Sequence, residues 1–276
     1  MKNVSSTDKN FIENLFIDSI YTNSHLGWFD IWQITNNNGF ILFEEEKSNH
    51  FLIALQPVTS SIYWLHSFYS SSSPKTYALS DKLKNNLPQG RHSIYTIASH
   101  KWYSDLLERN GFRISDEIIQ LETTDISLPD ISENLKVNEF PSEMVNAAWV
   151  NCEFGFPPLW RISKKELSLA HESSNYKRVI TYSGNPIAYL LADINEEDCY
   201  IERLSVTPDF QKNGFATSLI AHMVKDCHKI GISRFLVNTN LNNKEAIRFY
   251  KRLNFRENGE RLPVYHRFIY TAARTP

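Results

Sequence analysis

The residues with the most chemical content lie between Tyr200 and Ile230. Alternation over Tyr200–Val206 predicts a half-buried strand, and Thr207-Pro208-Asp209 ends it. Gln211-Lys212-Asn213-Gly214-Phe215-Ala216-Thr217 then opens a helix whose apolar residues Leu219, Ile220, Met223, Val224, Cys227 and Ile230 recur at helical spacing. The first turn of such a helix presents backbone N–H groups without intrahelical acceptors, together with the positive end of the helix dipole. That combination holds anions such as phosphate. Gly214 tolerates a positive φ and lets an anion reach the main chain, and Ala216 keeps the next position small. Lys212 either adds a cation there or is simply solvated. The plainer alternative is an ordinary strand-to-helix turn.

The residues after Ile230 extend the pattern. Gly231-Ile232 breaks into a strand at Arg234–Asn238, and Asn243-Lys-Glu-Ala246-Ile-Arg-Phe-Tyr250 leads a second amphipathic helix that closes on Asn254-Phe255. Strand, Q-x-x-G-x-A helix, strand, and N-x-x-A-x-x-x-Y helix in this order resemble the acetyl-CoA-binding core of the GNAT superfamily of N-acetyltransferases. The resemblance implies a mixed α/β fold and acetyl-CoA as co-substrate. It implies that pantetheine lies along the backbone of Leu204, Ser205 and Val206 where two strands splay, with the Val206 N–H near the thioester carbonyl. The pyrophosphate would rest on amides from Gln211 through Thr217, Asn243 would hold the pantetheine arm, and Tyr250 would donate a proton to the departing sulfur. Tyr250 also fits a half-buried aromatic on an amphipathic helix. Glu202 is the candidate base, acting through water with a raised pKa if buried; a salt bridge to Arg203 or to a neighbouring strand fits it equally. Some protein N-terminal acetyltransferases of the family carry a Glu where this chain has Asn238, a departure that weakens that reading of the acceptor.

The elements that must position these residues begin earlier. A helix capped by Thr7-Asp8 and bearing Phe11, Ile12, Leu15, Phe16, Ile17 and Ile20 is expected first, then strands Trp28–Ile34 and Phe40–Glu44 around the turn Asn36–Gly39. Strands Phe51–Val58 and Ile62–Phe68, a short helix near Leu79–Leu87, strand Ile94–Ala98 and helix Trp102–Asn110 come after them. That order repeats in the second half. Leu106-Leu-Glu-Arg-Asn-Gly-Phe112 parallels Tyr250–Phe255 at an offset of 255 − 112 = 143, and Trp64–Phe68 parallels Glu202–Val206 at 206 − 68 = 138. The chain is therefore expected to hold two GNAT-like units in tandem: residues 1–122 without a CoA loop, a linker at 123–134, and a catalytic unit at 135–276. The first copy has Tyr69-Ser-Ser-Ser-Ser-Pro74-Lys-Thr in place of the glycine loop, which offers no glycine, and Pro74 lacks an N–H. It is expected to bind no CoA and to serve as a scaffold or a wall of the acceptor site.

In the second copy a strand Leu135–Phe140 and a helix from Pro141 are expected. A rigid loop carrying Phe154, Phe156 and Trp160, a helix Lys164–His171, and strands Arg178–Tyr182 and Ile187–Ile194 come next. The family places its acceptor pocket along that loop, so the three aromatics either clasp an apolar or aromatic part of the substrate, or pack the domain core or the face of the first copy.

Composition sets the outer bounds. The 276 residues carry 29 basic and 31 acidic side chains, a net charge of −2, and nothing in that total suggests the basic face of a nucleic-acid binder. A hydrophobic content of 42% fills real cores. Cys152, Cys199 and Cys227 lack metal or disulfide spacing and read as core residues in a reducing compartment, and the histidines show no metal spacing. No apolar run approaches the roughly 18 residues of a membrane span. A cytoplasmic N-acetyltransferase acting on a primary amine of a small molecule or peptide is expected, as monomer or homodimer, with no metal, nucleic acid or membrane partner. The alternatives are a non-catalytic acyl-CoA-binding or regulatory module, and a transferase of a longer acyl group.

Overall fold

The computed structural model of the chain describes residues 2–3, 19–24, 39–46, 49–126 and 136–272. The expected helix over Phe11–Ile17, the strand Trp28–Ile34, the Asn36–Asn38 part of the turn and most of the linker lie outside those residues. In chain order the first half gives β1 (Lys2–Asn3), β2 (Tyr21–Ser24), β3 (Phe40–Glu46), β4 (Asn49–Pro57), β5 (Ile62–Ser70), α1 (Leu79–Asn86), β6 (Gly90–Ile97), α2 (Lys101–Arg109) and β7 (Arg113–Thr123). The second gives β8 (Asn138–Glu139), α3 (Val145–Cys152), α4 (Lys164–Ser173), β9 (Tyr176–Tyr182), β10 (Asn185–Ile194), β11 (Asp198–Val206), α5 (Phe215–Lys229), β12 (Arg234–Asn240), α6 (Lys244–Arg252) and β13 (Arg256–Thr271).

Contacts group these elements into two compact units, residues Met1–Glu117 with Leu262–Pro276, and residues Ile118–Arg261. Each unit is thus closed by a strand from the other half of the sequence. In unit 1, β6 pairs antiparallel with β13 from Ile97↔Val264 to Gly90↔Thr271. In unit 2, β12 pairs antiparallel with β7 from Phe235↔Thr123 to Asn240↔Ile118. This grouping crosses the sequence-order divisions at 122 and 135. A strand is placed by the ladder it completes, and the ladder partner is not written in the strand itself.

The repeat is visible element by element. Starts of β9, β10 and β11 exceed those of β3, β4 and β5 by 176 − 40, 185 − 49 and 198 − 62, all 136. Starts of α6 and β13 exceed those of α2 and β7 by 244 − 101 and 256 − 113, both 143. The step of 143 − 136 = 7 equals the difference between the 15 residues of α5 and the 8 of α1. A β-bulge recurs too: the ladders skip His66 in β5 and Glu202 in β11, and 202 − 66 is again 136. The offset of 138 read from sequence is therefore two residues too long for the strands, because faint side-chain likeness locates a face more easily than a register.

In unit 2 the strand order is β7-β12-β11-β10-β9-β8, with β11 and β12 parallel. α5 and α6 cover one face, where Leu219, Ile220, Met223, Phe235, Val237, Ile247 and Tyr250 form a core. α3 and α4 belong with Val179, Tyr189 and Leu191 on the other. β10 is buried on both faces over Pro186–Ala192, which accounts for its uninterrupted apolar run. α4 starts on the capping box Ser163/Glu166, in which each side chain accepts from the other residue's backbone N–H. The expected strand over Leu135–Phe140 is a two-residue bridge among the described residues.

Asp226 ties α5 to β9. It accepts from Tyr176 Oη at 3.1 Å and from Arg178 at 3.3 Å, and pairs with Lys229 at 2.8 Å. Burial acts to raise its carboxyl, but the hydrogen bonds from Lys229 and Tyr176 and the nearby His222 draw it down to about 2 from an ordinary 3.8. A carboxyl depressed in the folded state stabilises the fold above its unfolded pKa, and that contribution fades as pH falls from about 4 towards 2. Asp226→Asn is expected to flatten the melting temperature of the protein across that window. A melting curve against pH that keeps its full acid slope in the variant would contradict the assignment.

Candidate active site

β11 and β12 pair only from Asp198↔Arg234 to Ile201↔Val237. β11 nevertheless runs on to Val206 against β10, and β12 runs on to Asn240 against β7. The two parallel strands therefore part after Ile201, leaving the β12-facing edge of Glu202–Val206 without a ladder partner among the described residues. Leu204 and Val206 turn half-buried side chains to the α5 core, and Ser205 is buried on the opposite face with its Oγ donating to Cys152 O at 2.7 Å. The splay implied by the family resemblance is thus present, along with the bulge at Glu202, which sequence does not reveal.

The loop after β11 builds the second part of the site. The Gln211 side chain donates to Val206 O at 3.2 Å, and the Asn213 side chain donates to Phe210 O at 3.3 Å and Gln211 O at 3.1 Å. These bonds hold a tight turn that needs left-handed backbone at Lys212, φ 64°, and at the N-cap Gly214, φ 84°. A Cβ added to Gly214 would meet nothing within 4 Å, so glycine is favoured there by its positive φ rather than by a clash. No side chain caps α5, whose first internal bond runs from Ser218 N–H to Gly214 O. The amides of Phe215, Ala216 and Thr217 consequently have no partner among the described residues. Phe215 packs edge-on against Phe210, with ring centroids 6.1 Å apart, and Gln211, Lys212 and Asn213 are exposed.

Tyr250 is 5% exposed, its ring edge-on to Phe249 and Phe255. Burial, and after it the neighbouring Tyr200, push its phenol well above the ordinary 10, so it stays protonated at any physiological pH. Burial and then the Glu202 carboxylate push Tyr200 up to about 12. Tyr250, Tyr200 and Glu202 are therefore successive electrostatic neighbours from α6 to β11. Glu202 itself is exposed rather than buried. It accepts from Ser174 Oγ, not from Arg203, so neither the burial nor the salt bridge expected from sequence is present. Asn243 caps α6, its Oδ1 accepting from Ala246 N–H at 3.2 Å.

The aromatic loop is held by a network that sequence reasoning does not find. Glu153, 3% exposed, takes Arg203 Nη2 at 2.6 Å, Arg203 Nε at 3.2 Å, Tyr189 Oη at 2.7 Å and Ile162 N–H at 3.1 Å. The Arg203 guanidinium lies 3.9 Å from the Phe156 ring centroid and donates to Trp160 O at 3.3 Å. Arg161 covers Phe154 at 4.7 Å and donates to Phe156 O at 3.0 Å. Phe154 is 63% exposed, so it does not fill a core; Phe156 and Trp160 are half-buried. A Cβ on Gly155 would stand 2.8 Å from Val206 O, which puts the loop directly on the end of β11. The one sequence signal is an arginine among alternating apolar residues of a strand.

The same corner in unit 1 is built differently. At the position 136 residues before Gly214, the N-cap of α1 is Ala78 with φ −84°. The Ser80 amide, counterpart of Ala216, donates to Asn110 Oδ1 at 3.0 Å, and Asn110 Nδ2 donates to Tyr77 O at 2.9 Å. A side-chain amide there occupies the helix start that unit 2 leaves open. Among the described residues no His, Cys, Asp and Glu groups could hold a metal ion, and no helix is long and apolar enough to cross a membrane.

Residues 142–255 match the model of the Acetyltransferase (GNAT) family. The chain is 24% identical over 78 residues to the [ribosomal protein bS18]-alanine N-acetyltransferase of Escherichia coli K12, covering 28% of this chain and 53% of that protein. It thus spans about half the length of the curated relative it matches. Among solved structures, a GCN5-related N-acetyltransferase from Sphaerobacter thermophilus superposes with a TM-score of 0.54 at 14% identity, covering 99% of this chain and 96% of that one. A tandem GNAT protein from the clavulanic acid biosynthesis pathway gives 0.58 at 9% identity, covering 96% and 97%. Likeness at these identities shows the fold.

Proposed function

Residues 142–255 being a domain of the GNAT acetyltransferase family, we propose that this protein moves the acetyl group of acetyl-CoA to a primary amine by direct attack. The observation that carries the reading is the parting of β11 and β12 beside a loop whose glycine N-cap leaves the first amides of α5 open. An extended amide chain is suited to the unpaired edge of Leu204–Val206, and a pyrophosphate to the open amides of Phe215, Ala216 and Thr217; the Gln211 amide, expected from sequence to join them, instead donates to Pro208 O at 3.2 Å. Asn243, at the start of α6, is the group that would steady the pantetheine arm. The amine nitrogen attacks the thioester carbonyl, the C–N bond forms, and the C–S bond breaks. One proton leaves the nitrogen, through water to Glu202, and one reaches the sulfur from the Tyr250 hydroxyl. Tyr250 is suited to the second role because it is held protonated where negative charge would build.

The acceptor sits, on this reading, along Phe154, Phe156 and Trp160. A relative acts on the alanine of a ribosomal protein, but Asn238 stands where some family members that modify protein N-termini carry a Glu. A small-molecule or peptide amine is therefore the proposed acceptor class. Thiol release from acetyl-CoA measured against a panel of amines, including polyamines, amino sugars, amino acids and alanine-initiated peptides, is expected to show amine-dependent turnover. CoA binding without amine-dependent release across such a panel would instead mark a non-catalytic module.

A further inference from the structure

Unit 1 has the same strand arrangement that parts in unit 2. Its parallel pair β5 and β6 is laddered only from Ile62↔Ser93 to Trp64↔Tyr95, while β5 continues to Ser70 and β6 to Ile97. In unit 1, however, the edge is filled. β2 lies antiparallel on β5, pairing Tyr21 with Ser70, Thr22 with Tyr69, Asn23 with Phe68 and Ser24 with Ser67. β4 holds the opposite edge of the same residues, so β2 takes the edge facing β6. Residues 67–70 are, at the offset of 136, the counterparts of Arg203–Val206.

The fit is built from buried polar groups. Asn23 is fully buried, its Nδ2 donating to Ile97 O at 3.0 Å and its Oδ1 accepting from Ser99 N–H at 3.0 Å and Ser99 Oγ at 3.1 Å. One carboxamide thereby joins β2 to the end of β6, while the backbone of β2 pairs with β5. Ser24 Oγ lies 2.6 Å from Ser67 Oγ, and Ile20 N–H donates to Ser70 O at 3.1 Å. Leaving those groups unmatched inside the fold would be costly, which makes the segment a required part of unit 1 rather than a passing contact.

We propose that the parted strands of unit 1 form a groove for an extended peptide, occupied in cis by the chain's own Tyr21–Ser24 and latched by Asn23. The short strand stands in for a ligand by adding one strand to an exposed edge. This concerns unit 1 alone and does not depend on catalysis in unit 2. Hydrogen exchange on the full chain tests it. The amides of Phe68 and Ser70, which face β2, and of Ser99 are expected to be protected, and Asn23→Ala to speed their exchange at least tenfold while the amides of Ser67 and Tyr69, which face β4, and those of α5 and β12 are unchanged. A synthetic peptide of residues 19–24 is expected to restore protection to Asn23→Ala, and the same peptide with alanine for asparagine is not. Unchanged exchange in the variant, or no effect of the peptide, overturns the proposal. A second variant avoids the risk of a misfolded unit: Ser24→Cys with Ser67→Cys is expected to form a disulfide readily and to leave CoA stoichiometry as in the unaltered protein. A disulfide that fails to form, or that removes one bound equivalent of CoA, shows that β2 is not the resident of the groove.

Discussion

Tyr250→Phe is expected to lower kcat for thiol release about a hundredfold, a loss of about 2.7 kcal/mol of transition-state stabilisation, with little change in KM for acetyl-CoA. The hydroxyl is the one atom removed, and the ring keeps its edge-on contacts with Phe249 and Phe255, so folding should survive. Burial holds the phenol protonated, and the reason for the effect is therefore loss of a proton at the sulfur rather than a change in charge of the resting enzyme. Its own titration lies above the physiological range, so the wild-type rate should show no fall from Tyr250 as pH rises to about 9. Rates of variant and wild type on the best amine of the panel, across pH, check this. Equal rates at every pH would remove Tyr250 from the mechanism.

Glu153→Ala is expected to give the largest loss of stability in unit 2, about 3–5 kcal/mol, because it strands the Arg203 guanidinium in a buried site. The Glu153 and Arg203 side chains are only 4% and 13% exposed, and Tyr189 Oη loses its acceptor in the same step. Glu153→Gln keeps the shape and an acceptor and should cost distinctly less. Replacing both members, Glu153→Leu with Arg203→Met, should recover much of the loss, since matched apolar groups avoid the unpaired charge. The double variant would still release Phe156 and Trp160 from the guanidinium, so KM for the amine should rise even where stability returns. Denaturant unfolding of the four proteins distinguishes this from a surface ion pair, for which all variants would differ by about 1 kcal/mol or less.

How much of the molecule is legible in its sequence depends on the range of the interaction that decides each feature. α5 is readable because Leu219, Ile220, Met223, Val224 and Cys227 keep helical spacing, and all five are buried on one core. Gly214 is readable for a local reason, a turn requiring positive φ. The splay of β11 from β12 comes from a family likeness and not from any periodicity. Glu153 and Arg203 lie 50 residues apart in the chain, and no local pattern pairs them. The bulge at Glu202 depends on register, to which composition is blind. β7 escapes a sequence reading because its first residues, Arg113–Ser115, are exposed and only Ile119 and Leu121 join the core. β2 has four residues and no apolar alternation, so only its place on β5 identifies it as a strand. Asn110 reads as the end of one helix and in the structure fills the start of another.

On the proposed function, main-chain nitrogens around Gly214, next to parted strands, take the pyrophosphate of CoA. Titration calorimetry of the full chain with CoA, repeated with Gly214→Val, checks this. A β-branched residue is strongly disfavoured at φ 84°, so the turn that presents the α5 amides would be distorted although no neighbour is met within 4 Å. Heat corresponding to one CoA per chain in the unaltered protein, with affinity at least tenfold weaker in the variant, is the predicted result. No heat with the unaltered protein, or equal affinity in both, would contradict it.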